Sequence, residues 1–485
     1  MILGVNSIFS YCIDKTNKQP KDHEHHVQVG DFSVFMSTKT LYEIREEGDV
    51  ECLIIGLATC VKQDMKGIDW LWKHCHNLED FIEAEKYLGG KYVLFLRIKD
   101  QYYLMGDATC SIPVFYATGN DGIMCSCFAY QIADEKHFTP DDTLLKIRES
   151  ADSSQIMPYD YTIWKQIKRL LPNHYLNLNE QKAIRIVNHN SLQSVLTAED
   201  AAVKTLPQIK RLADFYTDKF SVACALTSGR DSRVVLAVLG LDKQKPVYTI
   251  KHNEFEENTP DIVIPKLIAD QAHLNYHQIN DIELTDVDIT EANTVLGKDN
   301  YSKRTLMLAH TIRYHFGENA VINGDIIGQV GKCSLHRDIP LRFATPSYFR
   351  CKLHNYSKGA KDALRSWMQE IEQSDEHVNN FDLFSVENRM GVWAANENEI
   401  YNMVGQYYLN IFNSRSIIYE WTRVDRKERK LSAIHMAIIR KLESGLLDIP
   451  FEPATIFEKI AKNNGISYLI ASYLKHYLGK IKYRK

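Results

Sequence analysis

Short apolar runs separated by turn residues fill the chain up to about Leu178. Runs of this length, bounded by turn residues, are typical of strands that pair in antiparallel sheets. The segment from Leu78 to Tyr87 has a helical pattern instead. The pattern therefore predicts a sheet-on-sheet domain with few helices. Its clearest predicted strands are residues 32–36, 52–57, 91–97 and 102–105.

The pattern changes at about Asp200, after a polar stretch from Asn188 to Glu199 that we interpret as a linker. Apolar runs of strand and helix length then alternate, and the last third of the chain is helical in character. This order predicts a parallel sheet with helices on its faces and ligands at the carboxyl ends of its strands. The predicted strands are 222–226, 246–250 and 275–279, and the predicted helices are 234–239 and 261–273.

A loop of small residues connects the first of these strands to its helix, and it reads Leu-Thr-Ser-Gly-Arg-Asp-Ser-Arg. Small side chains let backbone N–H groups approach an anion, and the helix dipole adds to the attraction. Asp231 would repel a phosphate, but it could hold a magnesium ion that bridges to one. The candidate phosphate-binding residues are Leu226, Thr227, Ser228, Gly229, Arg230, Asp231 and Ser232.

This loop resembles the pyrophosphate loop of the ATP pyrophosphatase superfamily, whose pattern is Ser-Gly-Gly-x-Asp-Ser. Thr227 stands for the Ser and Ser228 for the first Gly, while Gly229, Asp231 and Ser232 match. The resemblance implies ATP and Mg²⁺ as cofactors, and cleavage of ATP between its α- and β-phosphates. A Ser-Gly-rich turn without a ligand is the alternative, because such turns occur in many α/β proteins.

The N-terminal part resembles the glutaminase-like domain of the asparagine synthetase family in the order of four segments: 87–95, 107–116, 124–129 and 167–176. The resemblance implies an Ntn-hydrolase-like αββα sandwich. In the active glutaminase a Cys follows the initiator Met and acts as the nucleophile, whereas this chain has Ile2. We therefore expect a domain that does not hydrolyse glutamine and supports the second domain.

The expected fold class is accordingly a two-domain α/β protein. An antiparallel sandwich over residues 1–185 and a linker over 186–200 precede a synthetase-like domain over 201–485. The resemblance implies that the second domain is an ATP pyrophosphatase domain of the adenine nucleotide α-hydrolase type, with a helical C-terminal part.

Further site residues follow from the same resemblance. Thr249 and Ile250 stand where the family's second strand lines the adenine pocket. Gly324 and Asp325 stand in a second phosphate-side loop, where Asp325 would share magnesium with Asp231. Gly328 and Gln329 replace the Asp-Glu pair that usually binds the metal there. An Asn-Gly-Asp turn without a ligand is the alternative.

A late helix of the family carries a Lys that stabilises the charge developing during amide formation. Strict spacing places Met436 at that position, with His435 one residue before it. His435 could serve only when protonated. Arg440 is the second candidate, and Lys430 and Lys441 are alternatives. An ordinary hydrogen-bonded helix residue is the other interpretation of His435.

Charge and composition restrict the class of protein. A net charge of −4 argues against a nucleic-acid partner. We expect no membrane span and no signal peptide, because no apolar run is long enough and the first residues lack the required pattern. Ten scattered Cys predict reduced, mostly buried thiols and a cytoplasmic protein. The basic run from Lys475 to Lys485 could touch an anionic surface, or it could be solvated.

The resemblance implies an ATP-dependent synthetase that adenylates a carboxylate and transfers it to an amine. The assigned catalytic residues are Asp231, His435 and Arg440. The substrates would be a small-molecule or peptide carboxylate and an amine, and a homodimer is compatible with the sequence. A non-catalytic binding or scaffold protein is the alternative. Pyrophosphatase chemistry on RNA is a third hypothesis, which the acidic balance disfavours.

Overall fold

The computed structural model describes residues 7–15, 24–120, 122–151, 157–188, 194–252, 254–298, 300–453, 459 and 464–483. Ile2 and part of the predicted linker lie outside these residues. The chain divides into two compact units: 1–189, 284–306 and 344–405 form the first, and 190–283, 307–343 and 406–485 form the second. The first unit thus includes two segments from later in the chain, and the expected domain limits at residues 185 and 200 stay a prediction.

The strands of the first unit pair only antiparallel in the described residues, and they form two sheets with orders β10-β8-β9-β1-β3-β2 and β12-β11-β7-β6-β5-β4. The strands are β1 (Tyr11–Asp14), β2 (Glu24–Val29), β3 (Phe32–Ser37), β4 (Tyr42–Glu47), β5 (Val50–Cys60), β6 (Leu88–Ile98), β7 (Gln101–Gly106), β8 (Phe115–Gly119), β9 (Gly122–Ser126), β10 (Ile167–Arg169), β11 (His174–Asn177) and β12 (Lys182–Arg185). All four clearest strand predictions are confirmed.

Aromatic side chains connect the two sheets. The buried ring of Phe32 on β3 lies 5.7 Å from that of Phe95 on β6 and 5.0 Å from that of Tyr102 on β7. Edge-to-face contacts of this kind add to the free energy gained by burying the rings. The expected two-sheet antiparallel architecture is therefore present.

Helices complete the first unit. They are α1 (Gly67–Trp72), α2 (Leu78–Glu85), α3 (Ala129–Lys136), α4 (Asp142–Glu149), α8 (Asp286–Leu296), α10 (Pro346–Lys352), α11 (Lys358–Glu372), α12 (Asn380–Leu383) and α13 (Ala395–Val404), with a π-helical segment at Phe384–Ala394. The predicted helix from Leu78 is confirmed, and Asn77 caps it by accepting a hydrogen bond from the backbone N–H of Asp80.

A buried ionic cluster joins β11, β12 and α11 to the π-helical segment. The carboxylate of Glu387 is fully buried and accepts two hydrogen bonds from Arg185, at 2.6 and 3.0 Å. Trp367 and Asn173 donate to the same carboxylate. The Arg185 guanidinium also donates to Glu370 at 3.1 Å, so one arginine bridges two carboxylates.

The ionisation of Glu370 predicts that the stability of the first unit decreases at acidic pH. Burial raises the pKa of its carboxyl, but the hydrogen bond and charge of His174 and the charge of Arg185 outweigh burial and lower the pKa to about 2. A carboxyl with a lowered folded pKa stabilises the fold above its unfolded pKa of 4.5, and this is lost as pH falls towards 2. We expect the free energy of unfolding of Glu370→Gln, measured with denaturant, to lack this loss of stability between pH 4.5 and pH 2. An unchanged slope of unfolding free energy against pH, relative to wild type and to exposed Glu46→Gln, would contradict this expectation.

The second unit contains a five-stranded parallel sheet with order β15-β14-β13-β16-β17. Its strands are β13 (Val222–Ala225), β14 (Pro246–Lys251), β15 (Asn275–Asn280), β16 (Ala320–Asn323) and β17 (Tyr408–Asn410). Residues 222–224 of β13 and all of β16 are buried, as in a sheet covered on both faces. After β13, the chain first adds β14 and β15 on one side of this strand and then adds β16 and β17 on the other side. The strand order therefore reverses between β13 and β16. Ligands bind at such a reversal in open parallel sheets.

Helices flank this sheet. They are α5 (Ala198–Lys219), α6 (Arg230–Leu239), α7 (Pro260–Ala272), α9 (Lys303–Phe316), α14 (Arg415–Thr422), α15 (Arg426–Arg429), α16 (Ala433–Leu442) and α17 (Gly465–Tyr483). A π-helical segment lies at Ile327–Gly331, and 3-10 turns lie at Leu341–Phe343 and Ser444–Leu447. The predicted strands and helices of this region are present, except that α6 begins at Arg230, four residues before the predicted start at Val234.

Two expectations about the chain as a whole can be compared with the structure. No helix in the described residues is long and apolar enough to cross a membrane. All ten Cys are buried thiols that form no disulfide, as expected from their scattered positions.

Candidate functional site

Two loops meet where the strand order of the second unit reverses. One follows β13 and leads into α6, whose N-cap is Gly229 without a side-chain cap. The other follows β16 at Gly324. A methyl group on Gly324 would lie 3.1 Å from the carbonyl oxygen of Asp231, so a glycine allows the two loops to touch. The structure therefore brings both predicted phosphate-side loops to one point.

Asp231 lies at the centre of this point, in the first turn of α6. Its Oδ1 accepts a hydrogen bond from Nε2 of His435 at 2.8 Å. The ammonium nitrogen of Lys332 lies 3.1 Å from Oδ2 and 3.3 Å from Oδ1. Burial raises the pKa of Asp231, but the hydrogen bond from His435 and the charge of Lys332 outweigh burial and hold the pKa well below its usual range. Asp231 is thus a carboxylate with two cationic or hydrogen-bonding partners.

His435 is fully buried on α16 and presents only one ring nitrogen to Asp231. Burial lowers the pKa of His435, although Asp231 acts in the opposite direction. A carboxylate can only accept, so Nε2 of the neutral ring must carry the proton. Nδ1 has no hydrogen-bond partner in the part of the chain that the structure describes. The structure thus places His435 beside Asp231 but favours its neutral form, which does not suit the expected charge-stabilising role.

Lys332 was not among the residues singled out from the sequence. It directly follows the π-helical segment Ile327–Gly331. It also lies four residues after Gly328, and Gly328 is the position at which the pattern that the loop resembles has an acidic residue. Short π-helical segments occur often at functional sites of proteins. Its ammonium group supplies the fixed positive charge that a buried neutral His435 does not.

Gly328 explains how Asp231 is accommodated. A methyl group at this position would lie 2.6 Å from Oδ2 of Asp231. The glycine at position 328 therefore allows the Asp231 carboxylate to lie where it does, because any larger side chain at that position would displace the carboxylate.

This steric constraint gives a prediction for Gly328→Ala. The added methyl should displace the Asp231 carboxylate, weaken its ion pair with Lys332 and lower the free energy of unfolding by about 1–2 kcal/mol. Denaturant unfolding measures the effect. Gly445→Ala is the matched control, because a methyl there meets nothing within 4 Å. Equal stability of the two variants would contradict the prediction.

The loop's own amides are partly occupied by protein groups. The Ser228 N–H and hydroxyl both donate to Oδ1 of Asp261, at 2.8 and 2.6 Å. The Thr227 N–H donates to the Ser232 hydroxyl, and the Gly229 N–H donates to the Thr227 hydroxyl. Asp261 was noted in the sequence only as part of a predicted helix, yet its carboxylate holds the loop. A ligand at Ser228 would have to displace it.

The two arginines of the loop have different surroundings. Arg233 is fully buried, and its guanidinium donates to the carbonyl oxygens of Leu446 and Ile449 at 2.9 and 2.8 Å. The Arg233 guanidinium is therefore held inside the protein by carbonyl oxygens, which excludes a surface ion pair at this position. Arg230 is half-buried and stacks over the ring of Phe451 with its guanidinium carbon 4.5 Å from the ring centroid.

Thr249 and Ile250 lie at the end of β14, next to the loop. The hydroxyl of Thr249 is buried and donates to the carbonyl oxygen of Leu226 at 2.7 Å. This bond ties β14 to the start of the loop. Ile250 is half-buried. The adenine-pocket role of both residues stays a prediction.

The predicted magnesium pair was Asp231 and Asp325. Oδ2 of Asp325 accepts from the Tyr408 hydroxyl at 3.4 Å. No group of three or more His, Cys, Asp or Glu that could hold a metal occurs in the described residues. Because Lys332 and His435 already engage both oxygens of Asp231, these residues do not fit a protein-held magnesium ion in this arrangement.

Arg440 lies away from the Asp231 contacts. It is five residues after His435 on α16, which turns it about 140° around the helix axis. Its guanidinium is 63% exposed and lies 4.0 Å from Oε2 of Glu199. The alternative Lys430 forms an ion pair with Asp338 at 2.7 Å, and Lys441 forms one with Glu199 at 2.6 Å. Of the residues proposed on the late helix, only His435 contacts Asp231.

Comparison with known proteins adds little to this geometry. No family model matches the chain, and no curated protein matches it. Glutamine phosphoribosylpyrophosphate amidotransferase from B. subtilis, complexed with ADP and GMP, is similar over 60% of this chain and 67% of that chain, with 9% identity and a TM-score of 0.22. A structure of the allosteric regulatory enzyme of purine biosynthesis is similar over 60% of this chain and 66% of that chain, with 9% identity and a TM-score of 0.23. Similarity this low carries no argument about function.

Proposed function

We propose that the second unit is an ATP-dependent synthetase that forms an amide by way of an acyl adenylate. The observation that carries the proposal is the meeting of the loop Thr227–Ser232 with Lys332 and His435, through Asp231, where the strand order reverses. The carboxyl ends of parallel strands at such a reversal, together with an uncapped helix N-terminus and a nearby lysine, are suited to binding a polyphosphate. The family resemblance of the loop supplies the reaction class.

In the proposed reaction a substrate carboxylate oxygen attacks the α-phosphorus of ATP. The bond from that phosphorus to the bridging oxygen breaks, and pyrophosphate leaves. An amine then attacks the acyl carbon, AMP leaves, and the amine nitrogen loses a proton. The first N–H groups of α6 would face the phosphates, and Arg230 could contact them from the same turn. Lys332 would supply positive charge where negative charge develops.

ATP and magnesium remain the proposed cofactors, and magnesium would arrive with the nucleotide. The first unit is proposed to be a glutaminase-like fold of the Ntn-hydrolase type, and this part rests on its two antiparallel sheets and on the order of the segments that resemble the family. In the proposed reaction the amine comes directly from a substrate or from free ammonia.

A non-catalytic binding protein is the second candidate, and a specific observation favours it. Asp261 occupies the Ser228 N–H, and Asp231 already has its charge balanced by Lys332. A loop satisfied in this way is stable without a nucleotide. The two candidates differ in whether ATP displaces Asp261 and is then cleaved.

Lys332→Met tests the proposed phosphate contact. The variant removes a positive charge and leaves the Asp231 carboxylate facing the phosphates with one partner fewer. We expect the Kd of ATP to rise roughly 10–100-fold, as is typical for loss of a charged hydrogen bond. Isothermal calorimetry measures it. The control is Lys441→Met, which breaks an ion pair of similar exposure on α16; equal affinities in the two variants would contradict the prediction.

The reaction itself is tested by AMP and pyrophosphate release from Mg-ATP across a panel of carboxylates and amines. A parallel assay follows labelled pyrophosphate into ATP, because reversible adenylation needs only the carboxylate and not the amine. Carboxylate-dependent exchange supports the synthetase. ATP binding without exchange or AMP supports the binding protein, and ADP with phosphate as products would overturn both the site assignment and the reaction class.

A further inference from the structure

Helix α17 (Gly465–Tyr483) has two contrasting faces. One face is buried: Tyr468, Leu469, Ser472 and His476 are at most 7% exposed. The Tyr468 hydroxyl donates to the carbonyl oxygen of Ser334 at 3.2 Å. A methyl on Gly465 would lie 2.7 Å from the backbone of Asp338, so the start of the helix is closely packed. The helix is therefore held against the second unit by this face.

The other face is apolar and open to solvent. Its residues, which we call the apolar stripe, are between 37% and 65% exposed and comprise Ile466, Ile470, Tyr473, Leu474, Tyr477 and Leu478. Their spacings of three and four residues place them on one continuous side of the helix. Single exposed apolar residues need no explanation, but a contiguous set of this size marks an interaction surface.

The segment that carries the stripe has formal charges of one sign. Residues 464–485 contain five Lys and Arg and no Asp or Glu. Since the whole chain has a net charge of −4, residues 1–463 together have a net charge of −9. An apolar stripe within a basic segment, on a chain that is otherwise acidic, is complementary to a surface that is both apolar and anionic.

We propose that the apolar stripe of α17 binds the surface of a lipid bilayer that carries anionic headgroups. Leucine and isoleucine side chains would enter the boundary between headgroups and acyl chains, where tyrosine also lies favourably. The basic residues of the same helix would attract the anionic headgroups. Two copies of the stripe pair less well, because segment 464–485 brings positive charge and no acidic partner to such an interface.

The proposal does not depend on the proposed enzymatic activity, and the test uses the whole chain of residues 1–485. Flotation with vesicles of phosphatidylcholine alone is compared with vesicles that also contain about 30 mol% phosphatidylserine, at low and high salt. We expect binding to the anionic vesicles only, and weakening with salt. The double variant Leu474→Glu, Leu478→Glu should reduce the bound fraction roughly tenfold or more, because it places charge in the stripe.

Both substituted leucines are exposed, so the variant should fold, and circular dichroism checks this. Val287→Glu is the matched control, since it changes an apolar side chain that is 75% exposed on α8. Absence of wild-type binding, or equal binding by the double variant, would overturn the proposal. A wild-type dimer that the double variant disperses, without vesicle binding, would assign the stripe to a second copy and would also overturn it.

Discussion

Asp231→Asn is expected to lower the rate of AMP formation at least ~100-fold while leaving the Kd of ATP unchanged or smaller. Asn can still accept the hydrogen bond from His435, but it has no charge with which to hold the ammonium group of Lys332, now at 3.1 Å. Displacement of a catalytic cation by about 1 Å is enough for a rate loss of this size. Affinity does not fall, because an uncharged amide repels the phosphates less than a carboxylate does.

Steady-state AMP formation and calorimetric ATP binding separate these two effects. Asp242→Asn is the matched control, since its carboxylate pairs with Lys245 at 3.8 Å on the same unit. Parallel loss of ATP affinity and rate would show that Asp231 serves binding rather than positioning. Wild-type rates of AMP formation in Asp231→Asn would remove it from the mechanism.

Glu387→Gln is expected to destabilise the first unit by about 3 kcal/mol or more. The buried Arg185 guanidinium donates twice to this carboxylate, and Trp367 donates at 2.7 Å. A neutral amide leaves Arg185 with less negative charge in the protein interior and offers only one accepting oxygen. Removing one partner of a buried pair costs more than the pair contributes, because the remaining charge stays desolvated.

Denaturant unfolding measures this loss, with exposed Glu46→Gln as the control. A second variant, Arg185→Met with Glu387→Gln, should be less destabilised than the sum of the two single changes. A strictly additive result, or a loss equal to that of Glu46→Gln, would show that the cluster contributes little to stability.

The confirmed strands could be predicted because they are short apolar runs bounded by turn residues, and helices α2 and α7 could be predicted because their apolar residues recur at a helical period. The start of α6 could not, since its first turn carries the polar residues Arg230 to Ser232, which have no apolar period. The loop itself was recognised from its small residues and its Asp. The position of Asp231 beside the neutral His435 depends on contacts 204 residues apart along the chain, which periodicity cannot show.

Lys332 and Asp261 show what pattern reasoning misses. Asp261 was part of a predicted helix, while its carboxylate in fact occupies the Ser228 N–H. Lys332 lies at no position of the family pattern, and its ion pair with Asp231 became possible only because Gly328 leaves space for that carboxylate. The sequence showed the departure at Gly328, but its consequence requires coordinates. Arg185 and Glu387, 202 residues apart, are a similar case.

The most direct test of the account is equilibrium binding of ATP to the wild-type chain, with inorganic pyrophosphate as competitor. If the loop Thr227–Ser232 receives the phosphates, ATP binds without any other substrate, pyrophosphate displaces it, and Lys332→Met weakens both ligands. Failure of ATP and pyrophosphate to bind at millimolar concentration would contradict the nucleotide site, and with it the proposed synthetase.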